Sequence, residues 1–309
     1  MKLKKLNFDN KSEIKFLHLE KVSEYEDIDF SSFLKLEELW ISSKTKYNLP
    51  KSFISIPVIR KLILDKNCRL PENIDEIKTL EELWLEENGV FNIPNAIKNC
   101  SSIRKLNISY YDKDLIPTIS PSWIFEISSL EKLRFSVCKF SEFNIEKNKL
   151  KKLSELDFGC SLSDLNYFPN LSSFTNLKKI IVSAESVQGQ KQPNYQLFEQ
   201  ILESIKNLNQ IEELDISYWK SKKKMDSLIF KNGKTSIPNV FDRYPNLVKL
   251  SVANMKLDFI PETILNLKKL KELKIQGNNL TSDDIKNIIK HIPQCRIESD
   301  LGFYRPRKK

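Results

Sequence analysis

The 309-residue sequence is poor in the residues on which most enzyme active sites and metal centres depend. It contains only two histidines and six glycines, and no phosphate-binding glycine loop, nucleophile elbow or paired-histidine zinc motif occurs in it. Its five cysteines lie far apart without a C-x-x-C pair, which supports neither a disulfide framework nor a structural zinc site. We therefore expect a non-catalytic protein that uses no cofactor or metal and keeps its thiols reduced.

Long apolar runs are also missing from the sequence. No segment approaches the roughly 20 apolar residues that a membrane helix needs, and the basic N-terminal residues are not followed by the apolar stretch of a secretory signal. We expect a cytoplasmic protein without a membrane span. Hydrophobic residues make up 40% of the chain and charged residues 29%, which predicts a folded protein with a continuous core.

A recurring apolar pattern, L-x-x-L-x-L, runs through the whole chain at a usual spacing of about 23 residues. The alternation of its last two apolar positions predicts a short strand with one buried face. The copies, eleven in all, begin at Ile14, Leu36, Ile59, Leu80, Ile103, Leu130, Leu153, Leu177, Ile211, Leu247 and Leu270.

A second recurring element follows several of these strands, a leucine or isoleucine and a proline before further apolar residues. Because proline fixes φ and donates no hydrogen bond, it suits the first turn of a short helical return segment. Consecutive strands joined by such a return must run parallel. The pairs are Leu49-Pro50, Leu70-Pro71, Ile93-Pro94, Ile237-Pro238 and Ile260-Pro261.

These residues resemble the leucine-rich-repeat family, whose pattern is L-x-x-L-x-L-x-x-N/C-x-L, and specifically its subclass with a Pro-x-x-Ile return. The resemblance covers nearly the whole chain and implies an α/β solenoid, an arc of about 11 repeats with a parallel concave sheet and short outer helices. It also implies a scaffold for protein partners. The ninth-position asparagine of the family is present only at Asn67, Asn88 and Asn278, while residues such as Trp219 replace it elsewhere, so irregular curvature is expected.

We predict a single solenoid over residues 1–309, with caps at about 1–13 and 281–309. Leu3, Leu6 and Phe8 are expected to cover one end and Leu301, Phe303 and Tyr304 the other. A helix capped near Thr281 and a strand at Cys295 should precede that second cap. The repeats spanning about 177–246 are longer than the rest; an outer helix from Tyr195 and the Lys220-Lys224 cluster are their extra elements, and both a binding role and a tolerated loop remain open.

Two columns of residues are predicted to face a partner on the concave side. The third position carries five acids and five bases from Glu38 to Glu272, which favours a ladder of ion pairs between strands. The fifth position supplies most candidate partner-binding residues, and tyrosines near strand ends extend them. The candidates are Trp40, Ile63, Trp84, Asn107, Tyr110, Arg134, Asp157, Asp215 and Tyr218.

Several alternatives follow from the same residues. Trp40, Ile63 and Trp84 should be adjacent and exposed, and the tryptophans either anchor a partner or merely shield the sheet. Asp157 and Asp215 form either an acid/base or cation site or, in the favoured interpretation, surface carboxylates.

The net charge of +9 suggests an alternative function, binding of nucleic acid or another polyanion. The Lys220-Lys224 cluster and the tail Arg305-Lys309 would carry it, but acids on the predicted face oppose a phosphate backbone. We favour a protein or peptide as the partner. We expect the protein itself to be a monomer.

Overall fold

The computed structural model shows two compact units, residues 1–153 and 154–309. No helix among its described residues is long and apolar enough to cross a membrane. The described residues are 9–25, 28–65, 67–86, 93–109, 118–119, 121–136, 139–140, 149–159, 168–184, 195–219, 229–231 and 234–306.

The first unit is built on a parallel sheet of six strands, one from each successive repeat, and two short parallel pairs lie beside it. The sheet strands are β1 (Phe16–Leu19), β2 (Glu38–Ile41), β4 (Lys61–Leu64), β6 (Glu82–Glu86), β7 (Lys105–Ser109) and β9 (Lys132–Ser136). The pairs are β3 (Tyr47–Asn48) with β5 (Cys68–Arg69), and β8 (Thr118–Ile119) with β10 (Lys139–Phe140).

Short 3-10 helices, not α-helices, form the described return segments of this unit. A repeat leaves few residues for its return, and such short helices take 3-10 geometry readily. Pro50 and Pro94 lie at the N-cap, one residue before the predicted first turn, with φ of −68° and −65°. The helices are Lys11–Glu13, Val22–Glu24, Lys51–Ser55, Ile74–Glu76, Asn95–Asn99 and Pro121–Glu126.

The core of the first unit lies between the sheet and these returns. Phe30 packs against Phe33 and Phe53 at ring-centroid distances of 5.9 and 6.0 Å. From β2 to β9 the fourth-position leucines form a continuous row in register, as the repeat pattern predicts, and each of these five is at most 2% exposed. They are Leu39, Leu62, Leu83, Leu106 and Leu133.

The second unit has a seven-stranded sheet that is parallel except for its last strand. Its strands are β11 (Glu155–Asp157), β12 (Lys179–Ile181), β13 (Glu213–Asp215), β16 (Lys249–Ser251), β17 (Glu272–Lys274), β18 (Arg296–Ser299) and the antiparallel β19 (Gly302–Tyr304). Beside it lie the hairpin β14 (Ile229–Lys231) and β15 (Lys234–Ser236), the helices α1 (Tyr195–Ser204), α2 (Glu262–Leu265) and α3 (Ser282–His291), and the 3-10 helix Phe241–Arg243.

The extra residues of the long repeats form the predicted outer helix. Helix α1 begins at Tyr195 and buries Leu197, Phe198 and Ile201. In the next repeat, strands β14 and β15 pair in the antiparallel direction. The Lys220-Lys224 cluster lies outside the described residues.

The C-terminal end is partly as predicted. Thr281 and Asp284 form a reciprocal capping box on α3, and β18 is the expected last parallel strand. The prediction that Leu301 and Phe303 cover the end of the core is wrong, because they are 64% and 68% exposed. The chain turns back along β18, so Phe303 lies opposite Glu298 on the face away from the core. The other predicted cap residues, Leu3, Leu6 and Phe8, lie outside the described residues.

The ninth-position asparagines satisfy loop backbone groups, as their place in the repeat implies. Asn278 donates hydrogen bonds to the carbonyls of Val252 and Ile275 at 2.9 and 2.8 Å and accepts bonds from the amides of Met255 and Leu257. Asn67 donates to two carbonyls of the preceding repeat. Asn88 lies outside the described residues.

Three of the five cysteines lie in the described part of the chain, and all three are buried free thiols. Burial is the main cause that raises the pKa of Cys68, Cys100 and Cys295 to about 12. Cys138 and Cys160 lie outside the described residues.

Candidate protein interface

The third, fifth and seventh positions of each repeat line one face of the sheet, which we call the open face because it points away from the core. The predicted fifth-position column is present in each unit with the expected register. In the first unit it runs His18, Trp40, Ile63, Trp84, Asn107 and Arg134. In the second it runs Asp157, Ile181, Asp215, Ser251 and Lys274.

The third-position column forms the predicted ion pairs between strands. In the first unit Lys61 Nζ lies 2.9 Å from Glu38 Oε1. In the second unit Lys249 Nζ lies 2.7 Å from Glu213 Oε1, and this hydrogen bond raises the pKa of the lysine. Pairs that are this accessible to solvent contribute a few tenths of a kcal/mol each. Further pairs of the column are Lys105 with Glu82 and Lys179 with Glu155.

Trp40 is held on the open face by a stacked histidine. The rings of His18 and Trp40 lie 4.2 Å apart between centroids and only 12° from parallel. The indole is half-buried. Its Nε1 is buried and has no hydrogen-bond partner among the described residues.

Trp84 is held by a hydrogen bond and a cation. Its Nε1 donates to Glu82 Oε1 at 2.7 Å. The ammonium of Lys61 lies 4.7 Å from the centroid of the indole ring, within the range of a cation–π interaction. Because polar groups fix both tryptophans, binding a partner would cost little side-chain entropy at either one.

Ile63 is a correction to the predicted surface. It lies between Trp40 and Trp84 in the register but is only 5% exposed. An isoleucine is much shorter than the indoles on both neighbouring strands, so it forms the floor between them. Sequence reasoning also missed Phe16, the third residue of the first repeat and the first residue of β1, which is 53% exposed. Its third position in the repeat could have predicted that it faces away from the core.

The row continues beyond Trp84 with polar residues. Asn107 is half-buried, and its Oδ1 is buried without a hydrogen-bond partner among the described residues. Arg134 is exposed. Tyr110 lies outside the described residues, so its predicted place beside them stays a prediction.

In the second unit Asp157 and Asp215 lie two strands apart with Ile181 between them, as predicted. Each accepts a hydrogen bond from the backbone amide two residues later, Gly159 at 2.7 Å and Ser217 at 2.9 Å. The exposure predicted for Asp157 is wrong, because it is buried. Its tight bond to the turn holds the carboxylate against the strand end, which is a structural use of the side chain.

A shallow depression of about 200 Å³ lies on the open face of the second unit, lined among others by Ile181, Asp215, Ser251 and Lys274. Tyr218 follows β13 and is half-buried, with a positive φ of 68°. Among the described residues, no three His, Cys, Asp or Glu side chains come together as metal ligands.

No protein-family model and no curated relative matches the sequence. Solved leucine-rich-repeat proteins match the structure. An internalin from Listeria monocytogenes superposes with a TM-score of 0.51 and 15% identity over 94% of this chain and 82% of its own. The chain has the leucine-rich-repeat fold. The similarity arises from the leucine-rich-repeat strands and returns of this chain. Sequence identity can be low because the recurring apolar positions alone define the fold.

Two further leucine-rich-repeat structures are much longer than this chain. RP105, in the mouse RP105/MD-1 complex, superposes with a TM-score of 0.56 and 16% identity over 92% of this chain and 45% of its own. TLR13, in a complex with ssRNA13, superposes with a TM-score of 0.50 and 15% identity over 86% of this chain and 43% of its own. The chain therefore spans less than half the length of these two proteins, and the likeness concerns the fold alone.

Proposed function

We propose that this protein is a non-catalytic scaffold that binds a protein or peptide on the open face of its first unit. One observation carries the proposal: Trp40 and Trp84 stand on that face in fixed orientations, with the apolar floor of Ile63 between them. Rigid, partly exposed tryptophans around an apolar floor have the character of binding hot spots.

The polar atoms of this surface match a peptide better than an apolar ligand. Trp40 Nε1 and Asn107 Oδ1 are buried without a partner among the described residues, so a peptide would bond to them after a small rotation of each side chain, and such a bond would recover the cost of the unsatisfied group. The two residues are three strands apart, or about 14 Å. About four residues of an extended peptide cover that distance, and its backbone supplies both a carbonyl and an amide.

The other candidate residues enter the proposal in different ways. Arg134 and Tyr110 would extend the surface of the first unit, and Asp215 and Tyr218 form a candidate surface in the second. Asp157, which is buried and bonded to its own turn, would support the strand end instead of contacting the partner. We also infer the Pro-x-x-Ile subclass, since Pro50, Pro94 and Pro261 each precede a short helix.

For the whole chain we propose a single monomeric solenoid of about 11 repeats over residues 1–309, without cofactor and in the cytoplasm. RP105 is seen in a complex with MD-1 and TLR13 in a complex with ssRNA13, so the fold alone does not choose between partners. Carboxylates beside the tryptophans favour a protein, because a phosphate backbone would be repelled there.

Affinity capture tests the proposal, using wild type, a Trp40→Ala/Trp84→Ala variant and a matched Leu34→Ala/Val58→Ala variant whose residues are exposed off the open face. Each is first checked for folding. A captured protein should rebind as purified material to wild type and control but at least about thirtyfold more weakly to the tryptophan variant, which corresponds to the loss of one hot spot. If nuclease treatment abolishes the capture, a polyanion bound by the Lys220-Lys224 cluster and the tail would be favoured instead. If the tryptophan variant captures the same protein as wild type, the proposed surface would be contradicted.

A further inference from the structure

The seventh position of the repeat is acidic in the first unit, although the chain as a whole carries a net charge of +9. This column lies beside the tryptophan row and contains three carboxylates and no basic residue. Its described members are Glu20, Ser42, Asp65, Glu86, Ser109 and Ser136. A local excess of negative charge in a basic protein needs an explanation other than average composition.

Glu86 is the unusual member of the column. By alternation along β6 its side chain shares the open face with Glu82 and Trp84, yet it is only 8% exposed. No described residue forms a hydrogen bond with its carboxylate. Its register partner on β7, Ser109, is fully buried, and Ser109 Oγ also has no hydrogen-bond partner among the described residues. Ser109 Oγ is thus a fully buried atom without a bond, whereas the carboxylate of Glu86 keeps the small solvent-exposed area of its side chain.

Lys61, the described cation whose charge acts on Glu86, does not resolve this arrangement. Lys61 is already bonded to Glu38 at 2.9 Å and lies over the ring of Trp84. Leu64 is the register partner of Leu85, so Asp65 lies beside Glu86 at the ends of neighbouring strands. Asp65 adds a second negative charge there. Burial and the charge of Asp65 both raise the pKa of Glu86, and Lys61 offsets them only in part. A buried carboxylate without a partner is costly, and a cation brought by a ligand would recover that cost.

We propose that Glu86 and Asp65 form a subsite for an arginine side chain of the partner, next to the Trp84 anchor. This inference rests on the proposed function and specifies the chemistry of the partner. The subsite offers negatively charged hydrogen-bond acceptors. A guanidinium group carries five donors in a planar fork and stacks on aromatic rings, so it can satisfy several of these groups at once.

Short peptides test the subsite without knowledge of the natural partner. The probes are blocked tripeptides with a central arginine, a central lysine or a central citrulline, which keeps the shape of arginine but is neutral. They are titrated into the full-length protein while the indole N–H signals are followed by NMR. The variant is Glu86→Gln, and the matched control is Glu76→Gln, which makes the same charge change on an exposed return helix.

The arginine peptide should shift the Trp84 indole signal and bind at least about tenfold more tightly than the citrulline peptide. Glu86→Gln should abolish this preference, since losing one partner of a buried charge pair weakens binding by about thirtyfold or more, whereas Glu76→Gln should retain it. Glu86→Gln should also melt at a higher temperature than wild type, because it removes an uncompensated buried charge.

Three results would overturn the subsite: no detectable binding of the arginine peptide up to about 10 mM, equal binding of the citrulline or lysine peptide, or undiminished binding by Glu86→Gln. A lower melting temperature in Glu86→Gln would also overturn it, because the carboxylate would then be part of the fold. The captured partner separates the two proposals. Binding that needs Trp40 and Trp84 but not Glu86 defeats only the arginine subsite; a working subsite with tryptophan-independent capture defeats the proposed function.

Discussion

Trp219 donates a hydrogen bond from its indole Nε1 to the carbonyl oxygen of Val182, at 2.9 Å. Trp219 occupies the ninth position of its repeat, where Asn278 donates to the carbonyl of Val252 at the same distance. The indole also packs on Phe198, with 5.1 Å between ring centroids. The indole of Trp219 therefore gives the preceding repeat the same kind of buried donor that the amide of Asn278 gives, and helix α1 supplies a ring for it to pack against.

Trp219→Phe separates the hydrogen bond from the packing. The phenyl ring keeps most of the contact with Phe198 but leaves the buried carbonyl of Val182 without this donor, so we expect a loss of about 1–3 kcal/mol in the free energy of unfolding. Urea denaturation measures it. Trp84→Phe is the control, because it removes an indole bond at a half-buried site and should cost less than about 1 kcal/mol. Equal losses in both variants would argue against the structural role of the Trp219 bond.

The register of the sheet could be predicted from the sequence because each L-x-x-L-x-L copy fixes which residues point inward. The fifth-position row from His18 to Arg134 and the third-position ion pairs followed from that alone. Exposure could not be predicted in the same way, because it depends on the size of the neighbours across the strands. Ile63 is covered between two indoles, and Phe303 is exposed because the chain reverses at the edge.

Glu86 shows a second limit of the pattern. A seventh-position glutamate at the end of a strand is ordinarily a solvated residue, and nothing in its own sequence context predicts burial. Its environment arises from Asp65 and Ser109, which lie more than 20 residues away along the chain and come together only through the register. The part of the site that depends on such lateral neighbours therefore required the structure.

Leu83→Ala tests the placement of the core row. Leu83 is fully buried, so truncation should cost about 2–5 kcal/mol through lost burial and the cavity left behind. The same change at Leu34, which is 55% exposed, should cost far less. Chemical denaturation of both variants provides the comparison. A loss below about 1 kcal/mol at Leu83 would contradict its place in the core.

The buried cysteines should be unreactive while the protein is folded. In a Cys138→Ser/Cys160→Ser background only Cys68, Cys100 and Cys295 remain, and burial raises each pKa to about 12. At about pH 8 almost none of these thiols is the reactive thiolate. A thiol reagent should therefore label them only after unfolding, whereas a Ser101→Cys variant, changed at an exposed position, should gain one fast-reacting thiol. Rapid labelling of the folded background would contradict the burial.

The charge of Glu86 should make the stability of the free protein fall as the pH rises. Burial raises its folded-state pKa above the ordinary value of 4.5, so the folded protein holds this proton at pH values where the unfolded chain has lost it. The folded state is then favoured at low pH, and stability is lost as the pH rises from about 4.5 through the folded-state pKa. Glu86→Gln lacks this loss, so its stability relative to wild type should be higher at about pH 7.5 than at pH 4.

Urea denaturation at both pH values measures that difference, with Glu76→Gln as the matched control for loss of one negative charge. The difference in unfolding free energy between Glu76→Gln and wild type should change less between the two pH values, because Glu76 is exposed on a return helix. A Glu86→Gln advantage that is the same at both pH values would show that shape, not charge, separates the two side chains. Addition of the arginine peptide at about pH 7.5 should then stabilise wild type but not Glu86→Gln, since a ligand that binds only the folded state raises its stability by mass action. The Glu86 carboxylate would thus lower the stability of the free protein and raise the stability of its complex with the arginine peptide.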